Sequence, residues 1–159
     1  MSDATATPSA PESGDGYAVS HIGLCVADLD RTLRFYCEGL GFAPVIAYEI
    51  GNEAAAALEV PGDVRLKSQM IAKGTLVVEL LHYASPGAVG VPSAQRNQLG
   101  LTHLSFIVDD VDAAAERLVA FGGTVLPETR TSMKTDESSA ELVFLADPDG
   151  TRVELMKLG

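Results

Sequence analysis

"HIGLCVADLDRTLRFYCEGLG" (residues 21–41) reappears 82 positions later as "HLSFIVDDVDAAAERLVAFGG" (residues 103–123). His21 falls on His103, Val26 on Val108, Asp28 on Asp110, Asp30 on Asp112 and Gly41 on Gly123. Each copy opens with a short β-compatible run. An aspartate suited to capping a helix N-terminus follows, then an amphipathic helix closed by glycine. Helical spacing puts Leu29, Leu33, Tyr36 and Leu40 on the buried face of the first helix, with Phe35 also at core spacing. In the second helix the same face reads Val111, Ala115 and Leu118.

Three strand-like stretches follow each helix: "FAPVIAYEI", "VRLKSQMIA" and "TLVVELLHY" in the first half, "TVLPETR", "ELVFLAD" and "TRVELMKL" in the second. Both halves therefore read βαβββ, and the fold class is α+β. Two such modules can close a cup-shaped, half-open barrel lined by one face of each strand. The chain divides into a disordered tail (1–17), a first module (18–84), a linker rich in Pro, Gly and Ser (85–100) and a second module (101–159). "RTSMKTDESS" (130–139) reads as a mobile loop at the rim.

Composition narrows the partners. A formal net charge of −11, with scattered Lys and Arg, excludes nucleic acid and anionic membranes as main partners. No apolar run is long enough to span a bilayer, and the first sixteen residues lack the cations of a targeting signal, so a cytoplasmic location is expected. Cys25 and Cys37 form no C-x-x-C. Cys25 is expected as a packed core thiol on the strand face of His21. Exposed sheet edges point to a homodimer.

The chemistry enters at "GTLVVELLHY" (74–83), a buried-strand pattern interrupted by Glu79. An unpaired carboxylate there would cost several kcal/mol. The last strands of the halves match, Glu79 falling on Glu154, provided that one residue fewer separates Gly150 from Glu154 than Gly74 from Glu79. A lone histidine at a strand start is ordinarily structural, and a lone strand glutamate ordinarily faces water. His21, His103, Glu79 and Glu154 recur as matched couples, however, and together make an N2O2 set that a divalent cation would neutralise. Glu79 belongs either to that set or to the layer facing substrate. Arg65 and Lys67, on one strand face, together with Tyr83 and Arg96 are candidate substrate-binding residues. His82 should point away from Glu79, and Tyr83 toward it.

"HIGLCVADLDRTLRFYCEGLGF", "LVVELL", "THLSFIVDDVDAAAERL" and "DPDGTRVELMKL" resemble the vicinal oxygen chelate superfamily, the glyoxalase and bleomycin-resistance-like proteins, over residues 18–158. The resemblance implies metal ligands at the places of His21, Glu79, His103 and Glu154, as in glyoxalase I, with one Ni, Co, Mn, Zn or Fe ion per site. It implies a small-molecule substrate with neighbouring oxygens, Glu154 as the base and Glu79 completing proton transfer. Fosfomycin-resistance thiol transferases place a histidine where this chain has Glu79. Extradiol dioxygenases match at His21, His103 and Glu154 but use no carboxylate at position 79. Acyl-CoA epimerases carry a catalytic carboxylate on the strand that here reads "VRLKSQMI", which has none. The leading expectation is a metal-dependent, glyoxalase I-like lyase or isomerase. A dioxygenase, an epimerase and a non-catalytic binding or resistance protein are the alternatives.

Overall fold

The structure, a computed structural model, describes residues 16–159; the expected tail lies outside the described residues except for its last two. The chain builds two open, four-stranded sheets with few helices, the α+β class read from the sequence. Residues 16–29 and 41–88 form one compact unit, and residues 30–40 and 89–159 the other.

In the first unit, β1 (Ile22–Cys25), β2 (Ala43–Ile50), β3 (Arg65–Lys73) and β4 (Leu76–Ser85) are ordered β1-β4-β3-β2. β1 runs parallel to β4, and the other pairs are antiparallel. Ile71, Val78 and Leu80 are fully buried on one face, joined in the core by Leu24, Val26, Phe42 and Val64. The alternation that buries Val78 and Leu80 sends Glu79 to the other face. Between β2 and β3 lies a 3-10 turn (Asn52–Ala54) leading into a short helix, α2 (Ala55–Leu58). The alanine run "EAAAALE" was not read as a helix from the sequence. Nearly all of β2, an edge strand, is exposed, Val45, Ile46 and Tyr48 included.

The second unit repeats this order as β5-β8-β7-β6, built from β5 (Leu104–Ile107), β6 (Thr124–Lys134), β7 (Ser139–Ala146) and β8 (Arg152–Leu158), with β5 parallel to β8. Helix α3 (Val111–Ala120) buries Val111, Ala115 and Leu118, the face its periodicity marks. Asp110 caps it, Oδ1 accepting from Ala113 N at 2.9 Å. The expected rim loop at 130–139 is mostly strand: Thr131, Ser132, Met133 and Lys134 pair with Leu142, Glu141, Ala140 and Ser139. Backbone pairing overrides the polar composition, leaving only a tight turn over 135–138.

The first helix packs within the second unit. It begins as α1 (Leu29–Leu33) and widens into π-helical turns over Arg34–Gly39. Its buried face is Thr32, Phe35, Tyr36 and Gly39, at i, i+3, i+4 and i+7, while Leu29, Leu33 and Leu40, expected on that face with Tyr36, sit at the boundary. Glycines allow the close approach. A Cβ on Gly123 would meet the Phe35 ring at 2.9 Å and the Leu118 carbonyl oxygen at 3.0 Å. From α3, Arg117 Nε donates to Gly39 O at 2.8 Å, satisfying a carbonyl at the first helix's C-terminal end. Tyr36 donates to Asp147 Oδ2 at 3.0 Å, and Arg31 pairs with Asp149. The helix thus holds the Asp147–Gly150 turn that launches β8.

Candidate active site

Strand register settles which residues are equivalent. Glu79 on β4 lies opposite Gly23 on β1, and Glu154 on β8 lies opposite Ser105 on β5. Gly23 and Ser105 are 82 positions apart, like the two histidines, so the one-residue gap assumed between the final strands is the real one. Each glutamate therefore meets the histidine that precedes its parallel partner strand. His21 Nε2 is 3.1 Å from Glu79 Oε2, and His103 Nε2 is 3.6 Å from Glu154 Oε2.

Both imidazoles are held from behind by the preceding residue. Ser20 Oγ is 3.0 Å from His21 Nδ1, and Thr102 Oγ1 is 2.9 Å from His103 Nδ1. Sequence reading missed these hydroxyls, although Ser20 and Thr102 stand at the same 82-residue offset as the histidines. It also missed Ser68 and Phe144. The buried Ser68, on the β3 neighbour of β4, donates to Glu79 Oε1 at 2.5 Å. Phe144, the cross-strand partner of Glu154, meets His103 edge-to-face at a centroid distance of 5.2 Å. Alternation on β3 and β7 carried the signal: each residue falls on the strand face of its glutamate.

The carboxylates differ. Glu79 is clamped between Ser68 and His21. Glu154 is more deeply buried, at 8% exposure, yet among the described residues its carboxylate contacts only His103, and loosely. The other candidates separate. Tyr83 lies on the Glu79 side; burial raises its pKa, with the Cys25 and Glu79 charges adding to the effect. Cys25 is exposed rather than packed, because β1 presents that face to the open side of the sheet. Lys67 opposes His82 across β3 and β4, so alternation turns both away from Glu79. Arg65 and Lys67 line a separate depression of about 390 Å³ with Glu49, Ile50, Leu66 and Ala84. Arg96 is occupied as a tether. It donates to Thr102 O, and to Ser93 O at 2.5 Å, with its guanidinium carbon 5.9 Å from the Phe144 ring centroid. Burial lowers its pKa, and Arg152 nearby lowers it further.

Could these donors serve a cation? Two ligands about 2.1 Å from one ion stand ~3.0 Å apart at a right angle and ~3.4 Å apart at the tetrahedral angle. The observed separations, 3.1 and 3.6 Å, are near that size, and Nδ1 is engaged elsewhere in both rings, so that Nε2 is the nitrogen left to face a cation. Each couple thus fits two neighbouring positions of a coordination shell. Among the described residues no group of three or more His, Cys, Asp or Glu side chains is arranged to hold a metal ion.

A twin βαβββ architecture with a His–Glu couple at the same register in each half defines a recognisable class, and comparison agrees. Residues 18–155 match the model of the Glyoxalase/Bleomycin resistance protein/Dioxygenase superfamily, and the chain belongs to that family. It is 33% identical to a 2-epi-5-epi-valiolone epimerase of Actinomyces sp, over 89% of this chain and 79% of that protein. It is 28% identical to the lactoylglutathione lyase of Pseudomonas aeruginosa, over 89% and 82% of the two chains. Among solved structures, a glyoxalase family protein from Bacillus cereus superimposes with a TM-score of 0.73 at 21% identity, over 88% of this chain and 93% of that one.

Proposed function

We propose that the protein is a metal-assisted isomerase or lyase of glyoxalase I type, moving a proton at a carbon next to a carbonyl in a small, oxygen-rich substrate. The observation that carries this reading is the pair of His–Glu couples at identical register, each with its Nε2 and carboxylate at ligand–ligand spacing. His21 and Glu79 supply half of a ligand set for one Ni, Co, Mn, Zn or Fe ion, and His103 and Glu154 the other half. A full set needs two couples, from one chain or from two. The exposed edge strand β2 supports association as a homodimer.

When bound, the cation supplies Lewis-acid stabilisation of negative charge on a substrate oxygen. The residues do the rest. Glu154, the less tethered carboxylate, swings to take the proton. Glu79, fixed by Ser68 and His21, keeps its place; it receives the proton from Glu154 through a substrate hydroxyl or a water and delivers it to the neighbouring carbon, so that both carboxylates end ionised as they began. Phe144, edge-on to the ring and itself under the Arg96 guanidinium, orients the His103 imidazole.

A second reading, epimerisation, draws support from the Actinomyces relative. It needs the same abstraction, with the proton returned to the opposite face of the same carbon. The β3 strand offers Ser68 rather than a carboxylate, so Glu79 would be the second base.

Glu154→Gln tests both. The variant should retain metal by elemental analysis, yet lose at least ~100-fold in turnover of a methylglyoxal–thiol hemithioacetal or in deuterium wash-in at the reacting carbon. Near-wild-type rates would remove Glu154 from the mechanism.

A further inference from the structure

Each candidate histidine follows a hydroxyl residue, and each hydroxyl oxygen lies on Nδ1 of the next ring, at 3.0 Å for Ser20 and 2.9 Å for Thr102. The repetition in two separately packed units shows a built arrangement rather than a chance contact. Its meaning lies in proton bookkeeping around the ring.

An ionised carboxylate can only accept a hydrogen bond. A neutral imidazole whose Nε2 faces its glutamate, at 3.1 Å for His21 and at a looser 3.6 Å for His103, therefore keeps the ring's proton on Nε2, because a bare nitrogen lone pair there would oppose the carboxylate charge. Nδ1 then presents a lone pair, which the hydroxyl fills by donating. A ring that ligates a cation through Nε2 has its proton on Nδ1, which must donate. A backbone carbonyl or a carboxylate behind Nδ1 would serve only the second state. A hydroxyl serves both by rotating about its C–O bond.

We propose that Ser20 and Thr102 are positioning residues that let each His–Glu couple pass between a closed form, with Nε2–H facing the carboxylate, and an open, cation-ligating form, their hydroxyls turning from donor to acceptor. The ring proton leaves Nε2 to solvent and one is gained at Nδ1, so the charge of the ring does not change. The inference rests on the couples being metal ligands. Thr102 carries the larger share. Its carbonyl is gripped by Arg96 and its contact with His103 is part-buried, whereas the Ser20 contact is exposed and water competes there.

The test uses the full chain with 15N-labelled histidine, stripped with a chelator at mildly alkaline pH and then titrated with Zn2+ alone. In the stripped protein His21 and His103 should be Nε2–H tautomers, and Zn2+ should convert both to Nδ1–H. By competition with a chromophoric chelator, Thr102→Val should bind Zn2+ ~10–100-fold more weakly, and Thr102→Ser should recover to within roughly threefold. Ser20→Ala should lose less. Nδ1–H rings in the stripped wild type would overturn the inference, as would a Thr102→Val affinity within about twofold of wild type. If the wild type takes up no Zn2+, the ligand reading falls as well; uptake indifferent to Thr102→Val sinks this inference alone.

Discussion

Tyr36→Phe removes one oxygen from the fully buried contact between the first helix and the turn before β8. Asp147, 4% exposed, receives Asp149 N and Thr151 N on Oδ1 at 2.9 and 2.8 Å, and Tyr36 Oη on Oδ2 at 3.0 Å. Among the described residues nothing else reaches Oδ2, and phenylalanine fills the same space without a donor. A hydrogen bond to a charged group contributes about 1.5–3 kcal/mol, so the loss should be about 2 kcal/mol. For a chain of this size that lowers Tm by about 4–8 °C.

The same change has a pH signature. Burial raises the Asp147 pKa, while the Tyr36 hydroxyl, first among the opposing hydrogen bonds, lowers it. The folded protein therefore holds this proton more tightly than the unfolded chain. Stability should fall as pH rises from the ordinary aspartate value to the raised one and then level off. Tyr36→Phe should raise the upper edge of that window, and Asp147→Asn should abolish it. Urea unfolding at several pH values, with the m-value checked for constancy, measures both effects. A loss under about 0.5 kcal/mol at neutral pH, well below the hydrogen-bond range, would show that the contact does not hold the turn.

Gly123→Ala places a methyl against the Phe35 ring and the Leu118 carbonyl, so thermal unfolding should register a loss of about 1–3 kcal/mol. Asp110 has its pKa lowered, chiefly by the Ala113 N–H it accepts. Its contribution is present above the ordinary aspartate value and fades as pH falls through the lowered one. Asp110→Asn should keep the cap while flattening that acid limb, as read by circular dichroism. Ser68→Ala should free Glu79 from one of its two fixed partners and slow proton return more than abstraction, so deuterium wash-in should outpace product formation.

The sequence repeat carried the architecture because a duplicated unit writes its hydrophobic periods twice, and coincidence between copies filters noise from either. The His–Glu couples were legible for the same reason: matching positions mark matching register. Ser20 and Thr102 were equally available to that comparison, but a hydroxyl before a strand carries little signal until its oxygen is seen on Nδ1. Alternation correctly put Tyr83 on the Glu79 side and His82 away from it. Applied to Lys67, which opposes His82, the same rule turns it away from Glu79. What the pattern did not contain was the destination of the first helix. Periodicity shows that a helix has a buried face; two overlapping apolar periods compete here, the small Thr32 and Gly39 won over Leu33 and Leu40, and Gly123 admitted the close neighbour.

That destination has a consequence during synthesis. Phe35 and Tyr36 leave the ribosome long before Leu118, Gly123 and Asp147, the groups that will cover them, have been translated. For most of elongation the nascent chain carries a sticky aromatic segment whose proper dock does not yet exist. A polypeptide cut between its halves would therefore strand that segment on the wrong fragment, and reassembly of the two pieces would begin with its capture.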